Sequence, residues 1–105
     1  MRRGELWLAE VGRKKRPVLV MTRSEVIDVR ALVTVAEVTT YIRGLASGVN
    51  VDHAEHAEVG LNRPAAINCD GIHTVTQQSL TTRVGRVSDD VMRKVCTAVS
   101  YAIGC

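Results

Sequence analysis

Short apolar runs set apart by charged and glycine-bearing stretches pattern the first third of the chain. Glu5-Leu6-Trp7-Leu8-Ala9-Glu10-Val11 alternates, with Leu6, Leu8 and Glu10 on one face and Trp7, Ala9 and Val11 on the other. That period predicts a first strand. Arg16-Pro17-Val18-Leu19-Val20-Met21-Thr22 is apolar without alternation and rich in β-branched residues, which predicts a strand buried on both faces. Pro17 is placed at its first position, where a missing N–H is tolerated. The proline also keeps Arg16 extended, so that a cation opens the strand at the rim of an apolar surface. Gly12 to Lys15 is short enough to join the two strands as an antiparallel hairpin. Ala31 to Thr39 reads as a third strand, with Glu37, Thr39 and Thr40 supplying polar groups at its far end.

Between the second and third strands, Arg23 to Arg30 has no clean period and reads as a loop with one helical turn started by Ser24. Tyr41 to Ser47 is a basic loop containing Arg43, and Val49 to Asp52 predicts a short edge strand. Pro64 to Cys69 predicts another strand, ended by an Asp70-Gly71 turn, with Ile72 to Val75 extended beyond it. Leu80 to Val87 alternates as a closing strand, in which Gly85 permits a bend or bulge. The period then changes. Ser88 is an N-cap, Asp89 and Asp90 suit the positive end of a helix dipole, and Val91, Val95, Ala98/Val99 and Ala102 make one apolar stripe. Gly104 fits the position that ends the helix. Strands followed by one terminal helix predict a mainly β fold: a small barrel-like antiparallel sheet with a helix packed on it, as one domain over residues 1–105.

Composition changes this picture in two respects. Aromatic residues are 3% of the chain and Phe is absent, so the core must be aliphatic. The net charge of +3 is unevenly spread: residues 1–30 carry eight Arg and Lys against four acids, which suits an anionic partner. Cys69, Cys96 and Cys105 are an odd number without CxxC spacing, which argues against a disulfide framework and a zinc site. They read as two buried thiols and one exposed terminal thiol in a reducing compartment, and with no long apolar segment the expected location is the cytoplasm, away from membranes. His53 and His56 with Asp52, Glu55 and Glu58 lack the spacing of a metal site and read as a solvated acidic loop. There is no phosphate-binding glycine loop and no nucleophile elbow.

What remains is a polar set at strand ends: Arg16, Thr39, Asn68, Asp70 and, just beyond, His73. If the strands pair as a meander, these ends converge on one rim. One reading is a surface ion pair of Arg16 with Glu10 or Glu37, worth about 0–1 kcal/mol. The other is a phosphodiester site, in which Arg16 grips phosphate as a planar fork while Asn, Asp and His side chains meet base edges or sugar hydroxyls.

Five segments in order resemble the MazF/PemK toxins: Gly4-Glu5-Leu6-Trp7, Arg16-Pro17-Val18-Leu19-Val20, Ala31 to Thr39, Asn68-Cys69-Asp70-Gly71-Ile72-His73-Thr74-Val75, and Gly85-Arg86-Val87-Ser88-Asp89. The resemblance implies an SH3-like barrel of the CcdB/PemK type with a C-terminal helix, assembled as a homodimer. It implies a toxin of a toxin–antitoxin pair, an endoribonuclease cutting single-stranded RNA at a specific sequence without metal or other cofactor. In that chemistry the substrate's 2′-hydroxyl attacks the adjacent phosphorus, leaving a cyclic phosphate and a 5′-hydroxyl. It implies catalytic roles for Arg16 and Thr39, RNA contacts from Arg13, Lys14, Lys15, Thr40, Arg43, Asn68, Asp70 and His73, and a MazE-like antitoxin as protein partner. The chain departs from the family in its short loop before Arg16, in Asn68 where some members carry a catalytic arginine, and in Gly71-Ile72-His73 where Gln-Ile-Arg is common. The competing expectation is a toxin of the same barrel class that binds gyrase, or a nucleic-acid-binding barrel without chemistry; neither needs the Arg16/Thr39 pair.

Overall fold

The computed structural model describes residues 1–11, 14–39, 48–51 and 57–104. The alternating first run forms β1 (Glu5–Val11) and the apolar second run forms β2 (Lys14–Val20), paired antiparallel from Leu6↔Leu19 to Val11↔Lys14. Lys14, not Arg16, opens β2, so Pro17 stands fourth in its strand rather than first. It is accommodated there because pairing of β2 with β3 (Leu32–Thr39) begins only at Val18↔Glu37. On that side no ladder bond is asked of Pro17.

One turn of helix, α1 (Ser24–Ile27), joins β2 to β3. Arg23 occupies its cap position; the Ser24 hydroxyl instead accepts the backbone N–H of Arg3 at 3.0 Å, so the cap expected of Ser24 is not made. β4 (Gly48–Val51) is a short edge strand, and a 3₁₀ turn covers Ala57–Val59. β5 runs unbroken over Ala65–Thr76, and a second 3₁₀ turn (Gln77–Ser79) leads into β6 (Leu80–Arg86). The sheet order is β4-β5-β3-β2-β1-β6, with every recorded pairing antiparallel. This is not a simple meander: β5 inserts between β3 and β4, and β6 returns to β1.

The expected turn at Asp70-Gly71 is a bulge inside β5. Ile72 pairs with Ala36 and Asn68 with Glu37, which leaves Cys69, Asp70 and Gly71 opposite no partner. The Asn68 side-chain oxygen accepts the Asp70 N–H at 3.1 Å, a local bond that stabilises the excursion before the strand resumes.

The two faces of the sheet carry separate cores. On the first face Leu6, Leu19, Ala36, Ile67 and Cys69 pack with Val91, Met92, Val95 and Ala98 of α2 (Asp89–Ala102). On the second, Ala9, Val18, Val20, Val33, Val35 and Leu80 pack with Ile27 of α1. β2 alternates between them, with Leu19 and Val20 fully shielded from solvent. Trp7 is half-buried beside the second core.

The terminal helix forms as its sequence predicts: the Ser88 hydroxyl accepts the Val91 N–H, two acids fill the first turn, and Gly104 takes a φ of 76° just past the end. The 3₁₀ turn at Ala57–Val59 packs on the edge strand β6 through a glycine contact. The turn at Ala57–Val59 lies against β6 where Gly85 has no side chain; a β-carbon there would fall on the backbone of Glu58 and Val59. Gly60 (φ 72°) meets the Val84 backbone likewise, from a left-handed conformation that disfavours other residues. Val84 and Thr81 are extra residues in the β1–β6 pairing, and Gly85 stands beside the first of these bulges as well as at this close approach. Among the described residues no helix is long and apolar enough to cross a membrane.

Candidate functional site

The second face of the sheet holds the polar residues singled out by the sequence. Arg16 is exposed and pairs across the ladder with Ala9 of β1. The β2–β3 ladder stops at Val18↔Glu37. Continuing that register by two residues brings Arg16 opposite Thr39, on two strands that have stopped pairing. Residues opposite one another in an antiparallel register point to the same face. Thr39 in turn pairs with Ala66, and Ala66 with Asn50, so a row Ala9–Arg16–Thr39–Ala66–Asn50 crosses five strands. The next row inward is Arg83–Trp7–Val18–Glu37–Asn68.

Arg16, Thr39 and Asn68 therefore share one face in adjacent rows, although the sheet is not the meander from which their convergence was expected. Asp70 is exposed in the bulge, and His73, opposite Val35, reaches this face as well. Lys15 does not: it is exposed opposite Glu10, and strand alternation sends that pair to the other face. Glu10 is thus no partner for Arg16. Arg13, Thr40 and Arg43 lie outside the described residues, as do His53, His56 and their acidic neighbours Asp52 and Glu55; Lys14 is described in its backbone alone. Cys69 is buried and Cys96 is exposed, where the sequence reading had both buried; the Cys96 sulfur accepts from Arg3 Nη2 at 3.0 Å. Cys105 also lies outside the described residues.

The sequence offers Glu37 only as a polar group near Thr39 and an ion-pair partner for Arg16. Its carboxylate instead meets His73, Oε1 to Nε2 at 2.8 Å. The signal was present, since Glu37 is the one charged residue of β3 and stands two places from Thr39, hence on its face. The bulge hid it, because only the shifted register of β5 carries His73 within reach.

Electrostatics sharpen one edge of this face. Glu5 is bonded by Arg83 Nε at 2.7 Å, by the Arg2 backbone N–H at 2.6 Å and by Trp7 Nε1 at 3.3 Å. Partial burial pushes its carboxyl up, but these donors outweigh it and hold the group below the usual carboxylate range. At Cys69, burial first and the nearby Asp70 and Cys96 second push the thiol up, which marks it as an inert core residue.

Taken chemically, the outer row sets a guanidinium-bearing and a hydroxyl-bearing residue opposite each other where the β2–β3 ladder has ended. A carboxylate and an amide stand one row inward, and an imidazole one row beyond them.

The comparisons agree on one family. A family model described as PemK-like, MazF-like toxin of type II toxin-antitoxin system matches residues 2–103. The probable endoribonuclease MazF5 of Mycobacterium tuberculosis is 40% identical over 106 residues, covering 98% of this chain and 93% of that protein. The probable endoribonuclease MazF2 of the same species is 34% identical over 105 residues and the full length of both. The solved Mycobacterium tuberculosis toxin MazF-mt6 superposes with a TM-score of 0.85 at 34% identity, over 95% of this chain and 96% of that one. An endoribonuclease in complex with its cognate antitoxin, from a mycobacterial species, superposes with a TM-score of 0.87 over 99% of this chain and 95% of its own; at 24% identity it shows the fold alone.

Proposed function

This chain belongs to the PemK-like, MazF-like toxins of type II toxin–antitoxin systems, and we propose that it is an endoribonuclease that cuts single-stranded RNA at the Arg16–Thr39 row. The observation that carries the reading is the register: continued past Val18↔Glu37, where the two strands stop pairing, it sets Arg16 opposite Thr39. Cleavage proceeds by attack of the 2′-oxygen on the adjacent phosphorus. The P–O5′ bond breaks, and a cyclic phosphate and a 5′-hydroxyl remain. Negative charge accumulates on the phosphorane oxygens, and Arg16, a planar five-donor cation, stabilises it. The Thr39 hydroxyl, a donor and acceptor, aligns the 2′-hydroxyl or a phosphate oxygen. The 2′-proton goes to a base, and the leaving oxygen takes a proton from Arg16 or water.

The proposal extends to independence from metal, to Asn68, Asp70 and His73 as RNA contacts with the basic residues Arg13, Lys14, Lys15 and Arg43 and the Thr40 hydroxyl around them, and to a homodimer acting in the cytoplasm. It includes a closed SH3-like barrel, supported by the glycine contact between the Ala57–Val59 turn and β6. It also includes control by a MazE-like antitoxin; solved relatives include a MazE–MazF assembly from Deinococcus radiodurans, with a TM-score of 0.82 and 19% identity.

The test is incubation of the purified protein with single-stranded RNA in excess EDTA. Cutting at one short sequence is expected, with ends bearing a cyclic phosphate. Arg16→Ala should lower the rate by on the order of 10²-fold or more, and Thr39→Ala should weaken it. Arg16→Lys should still lose more than about tenfold, because lysine keeps the charge without the fork. Intact RNA, or activity that disappears with the chelator, would overturn the reading.

A further inference from the structure

Trp7, the only tryptophan of the chain, stands among cations on the second face of the sheet. Arg83 is opposite it on β6. Arg16 is its diagonal neighbour on β2, since Trp7 pairs with Val18 and Ala9 with Arg16. Diagonal neighbours on one face are about 7–8 Å apart, within reach of an aromatic ring and a long side chain. Arg86, opposite Glu5, adds a third cation one row further along. Arg83 and Arg86 are three residues apart and would point to opposite faces of a regular strand. The bulge at Val84 is what turns both to the face that carries Arg16.

Glu5 fixes this group. Its Oε1 accepts from Trp7 Nε1 at 3.3 Å and its Oε2 from Arg83 Nε at 2.7 Å, so ring and guanidinium are tied to one carboxylate. Arg83 commits only Nε to that bond. Among the described residues, no hydrogen bond or ion pair engages its two Nη nitrogens or the Arg86 guanidinium. All three arginines are exposed, and Glu5 is the one acid that the described side chains of β1, β2 and β6 turn to this face, so the patch is cationic. With Arg83 half-exposed, its ion pair adds little to stability; what the pair does is aim a guanidinium outward beside a half-buried indole.

We propose that Trp7, Arg83 and Arg86 form a track for the RNA flanking the cut: a base stacks on the Trp7 ring, and the two arginines grip the phosphates beyond it. The inference rests on the cleavage row proposed above, and it sends the strand from Arg16 across β1 to β6. Arg83 and Arg86 stand opposite residues two apart on β1, hence about 7 Å from each other, near the spacing of consecutive phosphates in an extended single strand. Cations that follow the backbone and an aromatic ring that takes a base are the two parts of a single-strand binding surface. Every base has a π-face and phosphates carry no sequence, so the track adds affinity without choosing a base. Glu5 is a positioning residue here, holding ring and guanidinium in place.

The probe is a single-stranded RNA methylated at every 2′-oxygen, which its own hydroxyls cannot cut. Because Trp7 is the only tryptophan, its fluorescence reports on the ring directly, and titration with this RNA should quench it. Trp7→Phe, which keeps a π-face, should bind within about threefold of wild type, and Trp7→Leu should bind on the order of tenfold more weakly. Arg86→Gln, which breaks no bond to Glu5, should reduce the slope of log affinity against log salt by about 0.7, and Arg83→Gln should do the same. These losses should be alike for RNAs of different sequence, and urea unfolding of each variant separates misfolding from lost contact. No binding, binding that leaves the wild-type fluorescence unchanged, or an unchanged salt slope in Arg86→Gln overturns the track; the middle result is the one expected of an acidic peptide surface, which needs the cations and not the ring. Cutting of unmethylated RNA judges the cleavage row separately. Quenching without cutting upholds the track and removes the row, and cutting without quenching does the reverse.

Discussion

Arg16 is an exposed cation on a strand whose Val18, Leu19 and Val20 are buried, so its backbone is held by packing while its side chain stays available. Glu5, on the same sheet face, has the opposite arrangement: three donors surround a carboxylate that is 15% exposed. Because those donors hold its acidity below the ordinary range, the folded state binds its proton less readily than the unfolded chain does. The stabilisation is complete above the ordinary glutamate value, about 4.3, and is lost as pH falls through the lower folded value. Glu5→Gln should therefore cost about 1 kcal/mol at neutral pH. Its urea midpoint should fall below wild type at pH 7, and the gap should close as the pH falls below the ordinary glutamate value and through the lower folded one. A gap that persists unchanged in acid would show that the lost interactions are neutral contacts and not charge-assisted ones.

At the scale of elements, a glycine contact seats the Ala57–Val59 turn directly on the backbone of β6. Gly85→Ala should be costly because the added carbon meets backbone, which cannot swing away as a side chain can. A loss of more than about 3 kcal/mol in urea unfolding is expected, and a loss within ~0.5 kcal/mol would show that the turn is free to move off. Gly71→Ala makes the useful contrast, since the atom it meets ends a flexible side chain, and its stability cost should be small. These two glycines also mark where the sequence stops being legible. β1, β3 and α2 could be read directly, because alternation, apolar runs and the Ser88 cap each act within a few residues. The bulge in β5 could not. Asp70-Gly71 has the composition of a turn, and only the pairing of Ile72 with Ala36 keeps the chain in the sheet beyond it. The same holds at the candidate site: Arg16 and Thr39 stand out in the sequence as polar residues on apolar strands, whereas the Glu37–His73 contact depends on a shift of register made by a strand distant in sequence.

For the molecule as a whole, the decisive fact is that one sheet separates two aliphatic cores and β2 contributes to both. Leu19 enters the core beneath α2, and Val18 and Val20 enter the core beneath α1. With no Phe in the chain, shape and close fit among Val, Leu, Ile and Ala must supply the stability. Under the proposed role of Arg16, stability and chemistry meet on one strand, through side chains that point different ways. Leu19 has no solvent exposure, and Leu19→Ala should cost about 2–5 kcal/mol from lost burial and the cavity left behind. Arg16→Ala, three residues away, removes an exposed side chain and should leave the urea midpoint within about 0.5 kcal/mol of wild type while abolishing most RNA cleavage. Measured together, the two variants should separate cleanly: Leu19→Ala with a lowered midpoint but near-normal cleavage per folded molecule at low temperature, Arg16→Ala with a normal midpoint and little cleavage. If Arg16→Ala proved as unstable as Leu19→Ala, Arg16 would be a structural residue of β2, and its loss of activity would say nothing about the phosphate.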